Sequence, residues 1–212
     1  MISPRIELAF RRGGMVLVDL PDEVAAADAD RAARRHTEMQ PLESMALWEL
    51  LRLAPTGAVA EVGVYGGETA KLLCTRKDVW LFDTFAGLPA GEGRFRRKQF
   101  ACSLPAVRAY VGAKPHLVRG VFPDSAARVP DNVRFAFVHL DLDLYVPTLA
   151  ALRWFWPRMV ANGFIVGHDY HDSPRVRHIP GVRRAWNEWA RESGVGLVPM
   201  PILSSQVVVR KP

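Results

Sequence analysis

The chain has 212 residues, 49% of them hydrophobic and 24% charged, the balance of an ordinary folded protein rather than a disordered or fibrous one. That length suits one domain with a substantial core; with no apolar run of about 18 residues and no secretory h-region in Met1–Glu7, a cytoplasmic protein with no membrane partner is expected. The net charge of +6 is carried by scattered Arg rather than a long basic block, so nucleic acid is not an expected partner, and Cys74 and Cys102 lack paired or metal-type spacing and read as reduced structural thiols.

In chain order, the Ala- and charge-rich region 21–35 fits a surface helix. Leu42, Met45, Ala46, Leu50 and Leu53 supply an apolar face for a second helix over Pro41–Leu53. Residues 1–54 are thus expected as an N-terminal helical segment of a single domain spanning 1–212. The exposed first helix offers a surface for a homo-oligomer. Pro55-Thr56-Gly57 ends the second helix.

A strand–helix alternation follows. Strands are predicted over Ala58–Val62, Asp78–Asp83, His116–Gly120, Val133–Leu140 and Gly163–Gly167. Helices open at Glu68 (to Leu73), Leu104 (to Val111) and Pro147 (to Val160), and Pro157 kinks or ends the last of these. A helix over Val182–Glu192 precedes two closing strands, Gly196–Pro199 and Gln206–Val209, whose short connection suits an antiparallel hairpin. The alternation predicts a doubly wound α/β fold, a mostly parallel sheet with helices on both faces. The basic cluster Arg94-Phe95-Arg96-Arg97-Lys98 follows a Gly-rich stretch and reads as a solvated loop, or as a lid attracting an acidic or phosphorylated substrate.

Two places carry chemistry. The strand ending at Leu140 runs into Asp141 and Asp143, spaced i, i+2 and so able to share one side of the chain. Charges are costly to bury without partners, and open α/β sheets bind ligands at the carboxyl ends of their strands. A solvated turn explains that segment alone equally well. The second place is Glu61-Val62-Gly63-Val64-Tyr65-Gly66-Gly67, a Gly-rich turn between a strand and a helix. Its spacing is neither G-x-G-x-x-G nor a P-loop. Asp83 ends the next strand about twenty residues on, where a carboxylate can accept hydrogen bonds from ribose hydroxyls. A nucleoside ligand with no required pyrophosphate fits best: S-adenosylmethionine first, a dinucleotide second.

These segments together resemble the macrocin O-methyltransferase (TylF-like) family of class I methyltransferases, which act on sugar hydroxyls in antibiotic biosynthesis. The likeness is carried by Glu61–Gly67, Asp83-Thr84-Phe85-Ala86-Gly87-Leu88-Pro89, Gly120–Ser125, His139–Thr148, Gly167-His168-Asp169-Tyr170 and Gly181–Trp186. It implies a Rossmann-like, seven-stranded, mostly parallel sheet with an antiparallel last strand, binding S-adenosylmethionine and usually Mg²⁺. Carried over, Gly63, Tyr65, Gly66 and Gly67 border the methionine portion, Asp83 holds the ribose, and Asp124 with Ser125 lies near the adenine. Thr37 reaches the cofactor carboxylate, and Glu61, Thr84 and Asp141 are counted among the cofactor-binding residues. Asp141, His168 and Asp169 form the implied metal site, and Asp143 is the general base.

The chain departs from that pattern at His168, where the family usually has Asp. Mg²⁺ strongly prefers oxygen ligands, so an imidazole weakens the case for it and admits Mn²⁺, Fe²⁺ or Zn²⁺. That His168 does not ligate, or that the metal has been lost, stays open. The 89–111 region looks trimmed relative to the family. The expected activity is metal-assisted methylation of a hydroxyl on a sugar or other small natural product. A phenol or catechol acceptor and a cofactor-binding relative with a decayed metal site are the alternatives. His139 reads as a hydrogen-bonded structural residue, His171 and Asp172 as loop residues, and Trp186 and Trp189 as core. Of Trp154 and Trp156, one is expected on the sheet and the other toward a partner.

Overall fold

The computed structural model describes residues 5–9, 15–19, 39, 41–171, 178–200 and 205–212. The helix expected over 21–35, Thr37 and Asp172 lie outside these. Within the segment expected to be helical, β1 (Arg5–Ala9) and β2 (Met15–Asp19) instead pair as antiparallel strands. Gly13-Gly14 between two alternating apolar runs was the available hairpin signal.

Helix α1 (Pro41–Leu53) leads into β3 (Ala58–Val62), α2 (Glu68–Leu73), β4 (Val79–Asp83), α3 (Leu104–Val111) and β5 (His116–Arg119). Then come β6 (Phe135–Leu140), α4 (Tyr145–Phe155), β7 (Met159–Gly167), α5 (Pro180–Ser193), β8 (Val198–Pro199) and β9 (Val207–Arg210). The seven strands from β3 onward lie in the order β5-β4-β3-β6-β7-β9-β8. The first five are parallel, and β9 runs antiparallel to both of its neighbours. This is the Rossmann-like methyltransferase sheet with a reversed last strand. Its strand order switches direction between β3 and β6.

The central strands are buried along their whole length: five of five residues in β3 and six of six in β6. Helices cover both faces, which is why these strands read as continuous apolar runs rather than alternating ones. On one face Ala60, Val62, Phe82, Val138 and Leu140 meet α4 and α5 through Leu152, Phe155, Trp186 and Trp189. On the other, Val59, Leu81 and Phe137 meet α1, α2 and α3 through Leu47, Leu51, Leu73 and Val107. Trp186 and Trp189 are core, as expected. Trp154 and Trp156 are both half-buried: Trp154 lies against Phe122 and Phe135, and Trp156 against Trp189. Among the described residues no helix is long and apolar enough to cross a membrane.

Three expectations are corrected by the packing. The buried residues of α1 are Glu43, Ser44, Ala46, Leu47 and Leu51; of the expected face, Ala46 is buried, Leu42, Met45 and Leu50 are half-buried, and Leu53 is 71% exposed. The buried face is therefore centred on Leu47 and Leu51 rather than on the residues expected. Strand β7 begins at Met159 rather than Gly163, because Trp156–Arg158 turns as a 3₁₀ helix around Pro157 and releases the chain early. Its pairing with β6 then slips between Met159 and Phe164, with Asn162 at φ +65°. The 94–98 segment is not wholly solvated either, since Phe95 inserts into the core.

Trp186 fits against Gly167 so closely that a Cβ there would meet its ring atoms at 2.4–2.5 Å. Urea unfolding of Trp186→Ala is expected to show a loss of about 3–5 kcal/mol. Gly167→Ala should also destabilise, through overpacking. An unchanged midpoint in both would contradict this account of the core.

Candidate active site

The carboxyl ends of β4, β3, β6 and β7 open into one cleft at the switch point, where doubly wound sheets bind their ligands. Gly63, Val64, Tyr65, Asp83, Thr84, Asp141, Asp143, His168 and Asp169 all line it. The approach of β3 to β6 depends on Gly63. Its φ is +91°, and a Cβ there would lie 1.7 Å from the carbonyl oxygen of Asp141. Only glycine satisfies both demands.

Asp83 ties the floor of the cleft together. Its Oδ2 accepts the backbone N–H groups of Val64 (2.8 Å) and Tyr65 (3.0 Å), and its Oδ1 accepts that of Phe85 (2.7 Å). The Thr84 hydroxyl also approaches Oδ1, at a longer 3.4 Å. Gly66 and Gly67 stand outside the lining; Gly67, at φ +91°, begins α2 against Tyr110 and Val111. Asp124 and Ser125 also stand outside it, in the 3₁₀ helix behind Gly120, Val121 and Phe122, which do line the cleft. Ser125 Oγ is buried without a hydrogen bond. Apolar walls are added by Phe82, Phe95, Phe100, Leu142 and Pro147.

Glu61, which lines the cleft, and His139 behind it form a buried pair, Oε1 to Nδ1 at 3.1 Å. Burial first, then the charges of Asp141, Glu68 and Asp83, raise the Glu61 carboxyl well above its ordinary value. Burial, followed by His168, pushes His139 down to about 3. The two are therefore best described as a neutral hydrogen-bonded pair supporting the site from below. His139 is buried and hydrogen-bonded, as expected. His171 lies in the loop after β7, as expected, but is buried there with Nε2 3.0 Å from the carbonyl of Gln206.

The carboxylates converge on His168. Its Nδ1 lies 3.2 Å from Asp169 Oδ2 and 3.7 Å from Asp141 Oδ1, and its Nε2 lies 3.2 Å from Glu43 Oε2. Burial alone would lower the imidazole's pKa, but Asp141, Asp169 and Glu43 override it and hold it well above its ordinary value. Donor atoms of Asp141, His168 and Asp169 all lie within 4.8 Å of one another. Adjacent ligands about 2.1 Å from one ion stand roughly 3.0–3.4 Å apart; the His168–Asp169 separation of 3.2 Å meets that and the His168–Asp141 separation of 3.7 Å is slightly wider, so these are the residues that could close on a divalent cation. The buried Nδ1 is aimed at the two carboxylates, with Asp169 Oδ2 at 3.2 Å, the side from which it could ligate a metal once deprotonated. Asp143 and Asp169 both sit at positive φ, +59° and +58°. Strain of this kind, of order 1–3 kcal/mol per residue, persists where surrounding structure enforces it, often at functional sites.

Some of the site was not anticipated from the sequence. Glu92 caps α4, accepting the Tyr145 N–H at 3.0 Å and drawing the basic segment over the cleft, where Arg94 joins the lining. Glu43 and Ser205 reach the carboxylate cluster from α1 and from the segment before β9.

Solved structures share this architecture. NovP, an O-methyltransferase, superposes with a TM-score of 0.69 at 20% identity, over 83% of this chain and 82% of its own. CalS11, the calicheamicin methyltransferase, gives 0.63 at 19% identity over 91% and 94%. An O-methyltransferase from Bacillus cereus in complex with SAH gives 0.64 at 17% identity over 92% and 94%. No curated protein matches in sequence. The fold is that of the class I methyltransferases. The macrocin-O-methyltransferase (TylF) family model matches residues 39–204, and the chain belongs to that family. It is accordingly an S-adenosylmethionine-dependent O-methyltransferase.

Gly63→Ala is expected to abolish the thermal stabilisation that S-adenosylhomocysteine gives by linkage, because the β3 turn can no longer pass Asp141. Retention of more than half of that Tm shift would contradict the close-approach argument.

Proposed function

We propose that the enzyme transfers the methyl group of S-adenosylmethionine to a hydroxyl of a sugar or other small natural product, assisted by a divalent cation. The convergence of Asp141, His168 and Asp169 at the edge of the cofactor cleft carries this reading. The family takes its name from macrocin methylation. Among the structural relatives, CalS11 is a TDP-rhamnose 3′-O-methyltransferase and TomG of Streptomyces achromogenes acts in tomaymycin synthesis. These likenesses support the acceptor class.

A divalent cation held by Asp141, His168 and Asp169 would supply Lewis-acid stabilisation of charge developing on the acceptor oxygen. The remaining work falls to the chain. Gly63, Tyr65, Asp83 and Thr84 hold the cofactor along β3 and β4, with Gly66, Gly67, Asp124 and Ser125 shaping the loops behind them. Glu61, held by His139 at the end of β3, completes the cofactor side of the cleft lining. Asp143 takes the proton from the acceptor hydroxyl as it attacks the methyl carbon. Leu142, Pro147, Phe95 and Phe100 exclude water and orient the acceptor, which lowers the barrier by positioning. Arg94 gives that side of the cleft a positive charge suited to an anionic or phosphorylated acceptor.

The test is methyl transfer measured on a panel of sugars, nucleotide-linked sugars and catechols, before chelation, after it, and after metal repletion. Sugar-selective activity that is lost on chelation and restored by the ion is the expected result. Catechol preference would replace the acceptor class, and full activity after chelation would remove the metal. Asp143→Asn is expected to lower kcat at least 10²-fold with little change in cofactor binding; unchanged turnover would exclude Asp143 as the base.

A further inference from the structure

Glu43 belongs to α1, more than a hundred residues from His168 in the chain, yet its carboxylate is fully buried against the site. A buried carboxylate needs hydrogen-bond partners, and both oxygens of Glu43 find them in the cluster. Its Oε1 accepts both the backbone N–H of Ser205 (2.7 Å) and its hydroxyl (3.0 Å). The other oxygen, Oε2, lies 3.2 Å from His168 Nε2. Ser205 in turn accepts the Asp169 N–H on its hydroxyl (3.2 Å) and the Tyr170 N–H on its carbonyl (2.9 Å). One side chain thus grips the far edge of the imidazole and, through Ser205, the turn that carries Asp169.

An ionised carboxylate can only accept, so Glu43 holds a proton on Nε2, and when a metal displaces the proton from Nδ1 that nitrogen's lone pair faces the space between Asp141 and Asp169. Histidine ligands are ordinarily fixed in this way by a carboxylate on the opposite ring nitrogen, which also makes them more basic. Building on the metal-assisted reading above, we propose that Glu43 is the positioning residue that makes His168 an Nδ1 metal ligand, and that the resulting His-plus-two-Asp site prefers Mn²⁺ or Co²⁺ to Mg²⁺. A purely structural pin would not need Nδ1 to point between two carboxylates, 3.2 Å from Asp169 Oδ2 and 3.7 Å from Asp141 Oδ1. Nitrogen ligation moves preference toward borderline ions, since Mg²⁺ demands oxygen.

The test uses the full-length protein and the ions alone. Titration calorimetry with Mn²⁺, Co²⁺ and Mg²⁺ is combined with pulsed EPR of the Mn²⁺ complex, in which a coordinated imidazole produces ¹⁴N modulation. Mn²⁺ and Co²⁺ are expected to bind at least tenfold more tightly than Mg²⁺, with ¹⁴N modulation that His168→Asn removes. Glu43→Gln should weaken Mn²⁺ and Co²⁺ binding by about 10–100-fold while S-adenosylhomocysteine still raises Tm. In the His168→Asn background the same Glu43 change should cost less than threefold, since the imidazole through which it acts is gone. Should Glu43→Gln not fold, Ser205→Ala, which frees Oε1 from the hydroxyl, is expected to weaken Mn²⁺ by several-fold and serves in its place. Divalent ions that bind without ¹⁴N modulation, with Mg²⁺ preferred, or with no loss on changing Glu43 or Ser205 would overturn this proposal and leave the metal-assisted reading standing. If no divalent ion binds the wild-type protein, both fall.

Discussion

The close approach of β3 to β6 at the switch point is the constraint from which the rest of the site follows. With Gly63 passing under the Asp141 carbonyl, the two strand ends can part in opposite directions and leave a cleft between them. Everything chemical hangs on that parting. The Gly63–Tyr65 turn is braced by Asp83 on one side, and Asp141 begins the loop carrying Asp143 on the other. A side chain at residue 63 would force the strands apart at the point where the sheet ladder should still hold, because Asp141 N–H bonds to Val62 O at 2.9 Å.

Charge is distributed unevenly over the two layers beneath the cleft. The inner pair, Glu61 and His139, minimises its cost by remaining neutral, since neither partner can reach water and desolvation dominates both. The outer cluster does the opposite. Glu43, Asp141 and Asp169 surround one imidazole and favour positive charge at its centre, so strongly that burial is outweighed. Such a constellation is costly to assemble unless something cationic completes it. A proton on His168 and a divalent ion beside it are competing answers to the same electrostatic demand, and metal affinity in such sites is for that reason dependent on pH.

Much of the fold was legible because parallel strands and amphipathic helices leave strong local patterns. The boundaries of α1, β3, α2 and α3 coincide with the apolar runs and their Pro or Gly punctuation. Where reading failed, distant contacts decided. The leucines of α1 suggested one face, but Glu43 shares its stripe with Leu47 and Leu51, and an acid on a buried stripe is explicable only by partners more than a hundred residues away. That lone charge on an apolar ridge was the signal available, and helical periodicity alone discards it. Asp141, Asp143, His168 and Asp169 were recognisable from strand-end position and family resemblance. Glu92 was not: its task as a helix cap depends on the fold of a loop whose composition looked merely basic.

That loop has a further property. Leu88 N–H bonds to Gln99 O at 2.9 Å and Lys98 N–H to Leu88 O at 2.8 Å, so the segment is pinched shut where it leaves and rejoins the body of the protein. A loop sealed at its own base can gain or lose residues beyond the pinch at little entropic cost, and the strands on either side need not notice. Lineages diverging from this scaffold can therefore exchange the cover of the cleft by insertion and deletion while its floor stays the same.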